Sequence, residues 1–396
     1  MALSRRAFVR SLGMGATAGA VAGRLPGGWV SARGREASGG EPAAAAAVPA
    51  LEVPDALRLN SNENPNGPSA LALDAIRRGL SEANRYPFLP VDQLTLAIAR
   101  HHDVAPENVL LGCGSTEILR IAVQAYTGRG HALVTAAPTY ETPGREAARL
   151  GTEVIAVPVD ASLQLDLSGM QRPGSRAGLV YFCNPNNPTA TVHGAASVRR
   201  FVHAVTGASG STRVLMDEAY FEYVDAPSYA TAIPIAMENR RVIVARTFSK
   251  VHGMAGLRIG YAVAHAGTIN ELRPFKLGLG INVLAIAAAL GSIGQAGHIE
   301  KERRLNREAK DYTRRFFEQL GYKVGVSEAN FVLVDIRRDA QAFQDACRAL
   351  GVLVGRPFPP LTTHARISLG TLSEMRRASD VFRRVLAAPV TTARQG

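Results

Sequence analysis

Short apolar runs alternate with amphipathic stretches along most of the chain. The runs at 109–112, 132–136, 152–157, 178–182, 213–216, 242–244 and 259–263 are largely aliphatic and β-branched, with little polar alternation. That is the pattern of strands buried on both faces. Helices are predicted from the Ser69 cap to Leu80, from about Gln93 to His101 and from about Thr142 to Leu150. Such alternation predicts a mostly parallel sheet covered by helices, and ligands of such sheets sit beyond the strand C-termini. The rhythm changes after residue 275. An apolar Gly/Ala-rich stretch (275–297) leads into a long charged helix (299–320), a strand (331–336), a helix (340–350), a strand (365–369) and a closing helix (372–386). The expected fold class is α/β. A large three-layer α/β/α domain spans 69–280, a smaller α+β domain spans 281–390, and an N-terminal arm at 51–68 precedes both.

Composition adds exclusions. The net charge of +12 is spread along the chain without a long basic block. The first fifty residues hold six arginines against two glutamates, a net of +4, which leaves +8 for the rest. A modest positive field of this kind suits anionic small molecules better than nucleic acid. Cys113, Cys183 and Cys347 form no C-x-x-C pair, and the histidines show no metal-ligand spacing, so neither a disulfide framework nor a metal site is expected. No run is long and apolar enough for a membrane span. Residues 4–10 (Ser-Arg-Arg-Ala-Phe-Val-Arg), followed by a weakly apolar stretch at 12–23, read as a twin-arginine export signal with a linker to residue 50. The expected location is periplasmic or extracellular, or cytoplasmic if the signal does not function. The alternative is a basic tail with no targeting role.

Chemistry-capable residues gather at the predicted strand ends. Lys250 is the only lysine before Lys276 in an arginine-rich chain. A lysine, unlike an arginine, can shed its proton and attack an aldehyde. Alone it reads as a surface lysine. Thr247, Ser249 and Arg258 beside it are the donors a phosphate requires. A second anion site is predicted where Gly112-Cys113-Gly114-Ser115-Thr116 turns from strand into helix. Tyr140, Asn187 in Asn-Pro-Asn-Asn-Pro-Thr, Asp217 and Tyr220 end further strands. Each has a plainer reading, as core, turn or helix cap.

The segment 246–261 (Arg-Thr-Phe-Ser-Lys-Val-His-Gly-Met-Ala-Gly-Leu-Arg-Ile-Gly-Tyr) resembles the Schiff-base lysine signature of the fold-type I pyridoxal-phosphate aminotransferases of class I/II. It is closest to the histidinol-phosphate aminotransferase subfamily, and the resemblance extends from Leu59 to the last helix. It implies an aspartate-aminotransferase-like fold, with pyridoxal 5'-phosphate on Lys250 and Lys250 as general base. It further implies that Asp217 pairs with the ring nitrogen and that Asn187 and Tyr220 reach the ring oxygen. Tyr140 would stack on the ring. Ser115, Thr116, Thr247, Ser249 and Arg258 would hold the phosphate, joined by Tyr86 from the partner subunit of a homodimer. Arg366, Arg356 and Asn62 would meet a small-molecule amino donor and a 2-oxo acid. The chain departs from the family at Cys113, Thr116, Ala190, Gly355 and 276–280. Two other functions fit the sequence: a pyridoxal-phosphate-dependent decarboxylase or lyase, and an exported binding protein without catalysis.

Overall fold

The computed structural model describes residues 55–388; the twin-arginine motif, the linker and the first residues of the arm lie outside them. Strand β1 (Leu57–Leu59) is followed by helices α1 (Ala70–Gly79) and α2 (Phe88–His101). Strands and helices then alternate: β2 (Val109–Gly112), α3 (Gly114–Tyr126), β3 (Leu133–Ala137), α4 (Thr142–Arg149), β4 (Val154–Pro158), α5 (Leu167–Gly174), β5 (Leu179–Cys183), α6 (Ala195–Ser209), β6 (Arg213–Asp217), α7 (Ile233–Glu238), β7 (Val242–Thr247), β8 (Gly260–Ala264) and α8 (Ala266–Leu272). The chain continues through α9 (Val283–Ser292), α10 (Ala296–Gln319), β9 (Lys323–Val324), β10 (Phe331–Asp335), α11 (Ala340–Ala349), β11 (Val352–Val354), β12 (His364–Ser368) and α12 (Leu372–Ala387).

The aliphatic runs form a seven-stranded sheet in the order β2-β8-β7-β6-β5-β3-β4. Only β8 runs against its neighbours. Both faces of the sheet are buried, as the unalternating pattern requires, except along the edge strand β4, whose residues are part-exposed or exposed. In β5, Val180 and Phe182 join one core with side chains of α2, α5, α6 and α9, whereas Leu179, Tyr181 and Cys183 join the other with α3, α4 and α8. Each such large apolar side chain contributes about 1.5–3 kcal/mol on burial. A third core lies under the antiparallel sheet β12-β10-β9, where Phe317, Phe343 and Phe382 meet around one another. The expected α/β fold class is the one observed.

Two expectations change. Helix α2 begins at Phe88 rather than near Gln93, with Pro90 in its first turn. There a proline removes an N–H that has no intrahelical partner anyway. Helix α9, assigned from the sequence to the smaller domain, packs Ala285, Ile286, Ala288 and Ala289 into a core of the large sheet. The boundary at residue 280 therefore cuts through that core. The short strand β1 pairs in parallel with β11, so the arm is fastened near the small sheet and then crosses to the large one. Among the described residues no single helix is long and apolar enough to cross a membrane.

Candidate active site

The parallel strands end at one edge of the large sheet, and the turns that follow them enclose a cavity of about 460 Å³. Its wall is completed by arm residues 60–63, by Arg356 and Phe358 after β11, and by Arg366 of β12. Every residue singled out from the sequence reaches this cavity except Tyr86, which is 73% exposed on the surface before α2.

Lys250 follows β7. Its ammonium donates to the backbone carbonyls of Asn62 (2.9 Å) and Ser61 (3.3 Å) in the arm. It also lies 5.5 Å from the centre of the Tyr220 ring. Burial, and next the positive charge of Arg366, lower its pKa to about 8. Arg258 adds a smaller lowering effect. Asp217, at the end of β6, is buried and shifted the other way, to about 6, because burial disfavours its charge. Its carboxylate accepts from the Tyr181 hydroxyl (2.8 Å) and the Ala219 N–H (3.2 Å).

Tyr220 accepts from the amides of Asn62 (3.0 Å) and Asn187 (3.4 Å), and its own proton has no acceptor among the described residues. The Asn187 carbonyl oxygen accepts from Arg366 Nη1 (2.7 Å), and Arg366 Nη2 donates to the Asn60 carbonyl (2.6 Å). The third guanidinium nitrogen, Nε, is buried without a partner. Burial lowers the Arg366 pKa to about 10, which leaves it charged at neutral pH. Asn62 is held tightly: its side chain engages Tyr220 and Ser368, and its N–H donates to the Ser368 hydroxyl (2.8 Å). It braces the arm more than it presents a free amide.

An anion cup forms where α3 begins. The hydroxyls of Ser115 and Thr116 make no hydrogen bond among the described residues, and both line the cavity. Arg258, in a left-handed backbone conformation (φ 59°), donates to Ser249 (3.3 Å) and to the Ala255 carbonyl (3.0 Å). Thr247 is turned inward onto Ser249 (3.0 Å), so it positions that hydroxyl. Gly114 has φ +70°, and a Cβ there would collide with the Arg258 guanidinium. The close approach of a cation, free hydroxyls and a helix N-terminus fits a phosphate. Among the described residues no cluster could hold a metal ion.

The sequence profile of the class I and II aminotransferases matches residues 54–382. The chain belongs to that family. The histidinol-phosphate aminotransferase of Moorella thermoacetica is 37% identical over 340 residues, covering 85% of this chain and 86% of that one. The aromatic amino acid aminotransferase of Rhodococcus jostii is 34% identical, covering 84% and 95%. The crystal structure of histidinol-phosphate aminotransferase from Sinorhizobium meliloti, in complex with pyridoxal-5'-phosphate, superposes with a TM-score of 0.78 at 28% identity, over 84% of this chain and 90% of that one.

Several residues of this aminotransferase were not foreseen. Tyr181 sits on β5 inside an apolar run, and nothing local distinguishes it from core until β5 and β6 are paired. Arg246 and Glu218 form a buried ion pair (2.7 Å) joining the turns that carry Lys250 and Asp217, with the Arg246 guanidinium 3.7 Å from the Phe221 ring centre. Glu302 of α10, also buried, accepts from Asn64 (3.1 Å) and Asn66 (2.8 Å) and anchors the arm. Gly355 is one of the family departures. A Cβ there would press on Arg366, so the glycine makes room for that side chain. Arg356 pairs with Glu141 (2.5 Å), an acid the sequence gave no reason to select.

Proposed function

We propose that this protein is a pyridoxal-phosphate-dependent aminotransferase. It would move an amino group from a histidinol-phosphate-like or aromatic donor to a 2-oxo acid, as a homodimer. Family membership and the relatives' activities support the reaction class. The observation that carries it is an amine of lowered pKa sharing one cavity with a phosphate-shaped cup and a buried carboxylate. The residues fit the cofactor: open donors for its phosphate, Asp217 for a protonated ring nitrogen, Lys250 for its aldehyde.

When bound, the cofactor supplies an electron sink that makes the substrate Cα–H acidic. The chain's own residues do the rest. Lys250 Nζ, with a pKa of about 8, is partly neutral near pH 7.5 and serves as the base that takes and returns that proton. Asp217 is ionised above about pH 6 and would accept the ring N–H. Tyr220 O–H and Asn187 N–H would serve as donors to the ring oxygen. Arg366, whose Nη1 and Nη2 are oriented by Asn187 and Asn60, would meet the substrate carboxylate or phosphate through its charge and remaining N–H groups. The Ser61 and Asn62 carbonyls of the arm hold the Lys250 amine in place.

Tyr86 would complete the phosphate cup of the partner subunit. Residues 4–10 would serve as a twin-arginine export signal, which lysines at both Arg5 and Arg6 should abolish in a cell-fractionation assay. The test of the central reading is amino transfer by the cofactor-loaded protein. Lys250→Ala should abolish it, together with borohydride trapping of the cofactor on the chain. Release of CO2 without amino transfer would mark a decarboxylase instead.

A further inference from the structure

We infer that Glu141 sets the charge selectivity of the pocket by competing with the substrate's distal group for Arg356. The inference rests on the pocket being the substrate site proposed above. Glu141 directly precedes α4 at the end of the large sheet, and Arg356 comes from the turn after β11. Their contact, Glu141 Oε1 to Arg356 Nη2 at 2.5 Å, therefore closes the pocket between walls of two different sheets. The other oxygen of Glu141 is held by Arg145, one helical turn further on. Arg356 Nη1 donates to the Pro357 carbonyl (2.8 Å), and its guanidinium lies 4.3 Å from the Phe358 ring centre. Arg366 lies 4.8 Å from the same centre but is buried, whereas the Arg356 side chain is 45% exposed.

The two arginines thus differ in availability. Among the described residues Arg366 has a buried nitrogen without a partner and no acid in an ion pair with it. Arg356 already has a counter-ion. A substrate anion reaching Arg356 must displace Glu141, which does not become stranded because Arg145 keeps it. An incoming carboxylate replaces one monoanion by another and gains little. A phosphate or phosphonate brings a second charge and a third oxygen, and so exchanges favourably. A neutral, apolar end leaves the Glu141–Arg356 pair in place over Phe358. Glu141 in this way separates dianionic from monoanionic distal groups, a selectivity obtained by disfavouring the wrong ligand.

Three amine-free ligands isolate the effect, since they bind without turnover: 3-phenylpropanoate, the same acid with a para carboxylate, and the same acid with a para phosphonomethyl group. Calorimetry on the cofactor-loaded protein gives the Kd of each. In Glu141→Gln the para-carboxylate ligand should tighten about threefold relative to 3-phenylpropanoate, the scale of one part-exposed ion pair, and the gap between it and the phosphonomethyl ligand should narrow. In Arg145→Gln, where Glu141 has no second partner, the same ratio should move in the opposite direction. Opposite shifts support competition, because a merely structural loss would move both variants alike. An unchanged ratio in both, or shifts of one sign, overturns it. The Kd ratios need no turnover, so absence of amino transfer would remove the proposed function while leaving the Glu141 result to stand on its own.

Discussion

Lys250 and Asp217 share one cavity, and burial shifts them in opposite directions, each towards its neutral form. Neutral pH lies between the two values. There Asp217 is ionised, and enough Lys250 is deprotonated to act as a base. Tyr181 works on the first of these groups. Its hydroxyl donates to the Asp217 carboxylate at 2.8 Å inside the core and favours the charged form. Tyr181→Phe should therefore raise the Asp217 pKa from about 6 by roughly one unit, since a hydrogen bond to a buried charge is worth about 1.5 kcal/mol or more. The measurement is the pH dependence of cofactor binding to the free protein. Affinity that depends on the Asp217 carboxylate falls as pH drops through its pKa, so the midpoint should rise in the variant. An unchanged midpoint with uniformly weaker binding would reduce Tyr181 to packing.

The working unit at the next scale is the turn between a parallel strand and the next element. The turn after β2 shows how tightly one is built. Gly114 takes a left-handed conformation that any other residue adopts at a cost of about 1–2 kcal/mol, and a side chain there would push against Arg258. Gly114→Ala should leave the fold intact by circular dichroism yet raise the cofactor Kd at least tenfold; equal affinity would remove Arg258 from the cup. The turns after β2, β3, β5 and β6 were legible because each of those strands is a largely apolar run that meets Gly, Pro, Asn or Asp at its end. The positions of Asp217, Asn187 and Ser115 at strand ends follow from that pattern, whereas β7 ends in Arg246-Thr247 and Lys250 was marked by its hydroxyl neighbours. Pairings between distant segments were not legible. β1 has three residues and pairs with a strand nearly three hundred residues later, so no local periodicity marks it. Glu141 and Glu302 act through partners brought by other elements, and neither stands out from the surface acids around it. The α2 start was missed because Pro90 looks like a breaker unless its place in the first turn is known.

At the scale of the molecule, α1, the start of α2 and the segment between them expose Leu71, Leu80, Tyr86, Phe88 and Leu89, each by more than half. Tyr86 and Phe88 lie together, with ring centroids 6.2 Å apart. Exposed apolar groups of this kind mark interaction surfaces, and the presence of Tyr86 among them fits the proposed homodimer. Charging it with Phe88→Glu and Leu89→Glu should shift the mass in light scattering from dimer to monomer and weaken cofactor retention. A variant that stays dimeric would place the interface elsewhere. The arm adds a second long-range link, because β1 ties it to β11 while Lys250 and Arg366 hold its carbonyls over the cavity. All of this converges on one reaction. The most direct test supplies the cofactor-loaded protein with 15N-phenylalanine, or 15N-labelled histidinol phosphate, and 2-oxoglutarate. The account predicts 15N-glutamate and the matching oxo or aldehyde product, with none from Lys250→Ala. Absence of labelled glutamate with either donor, or its formation at an undiminished rate by Lys250→Ala, would contradict it.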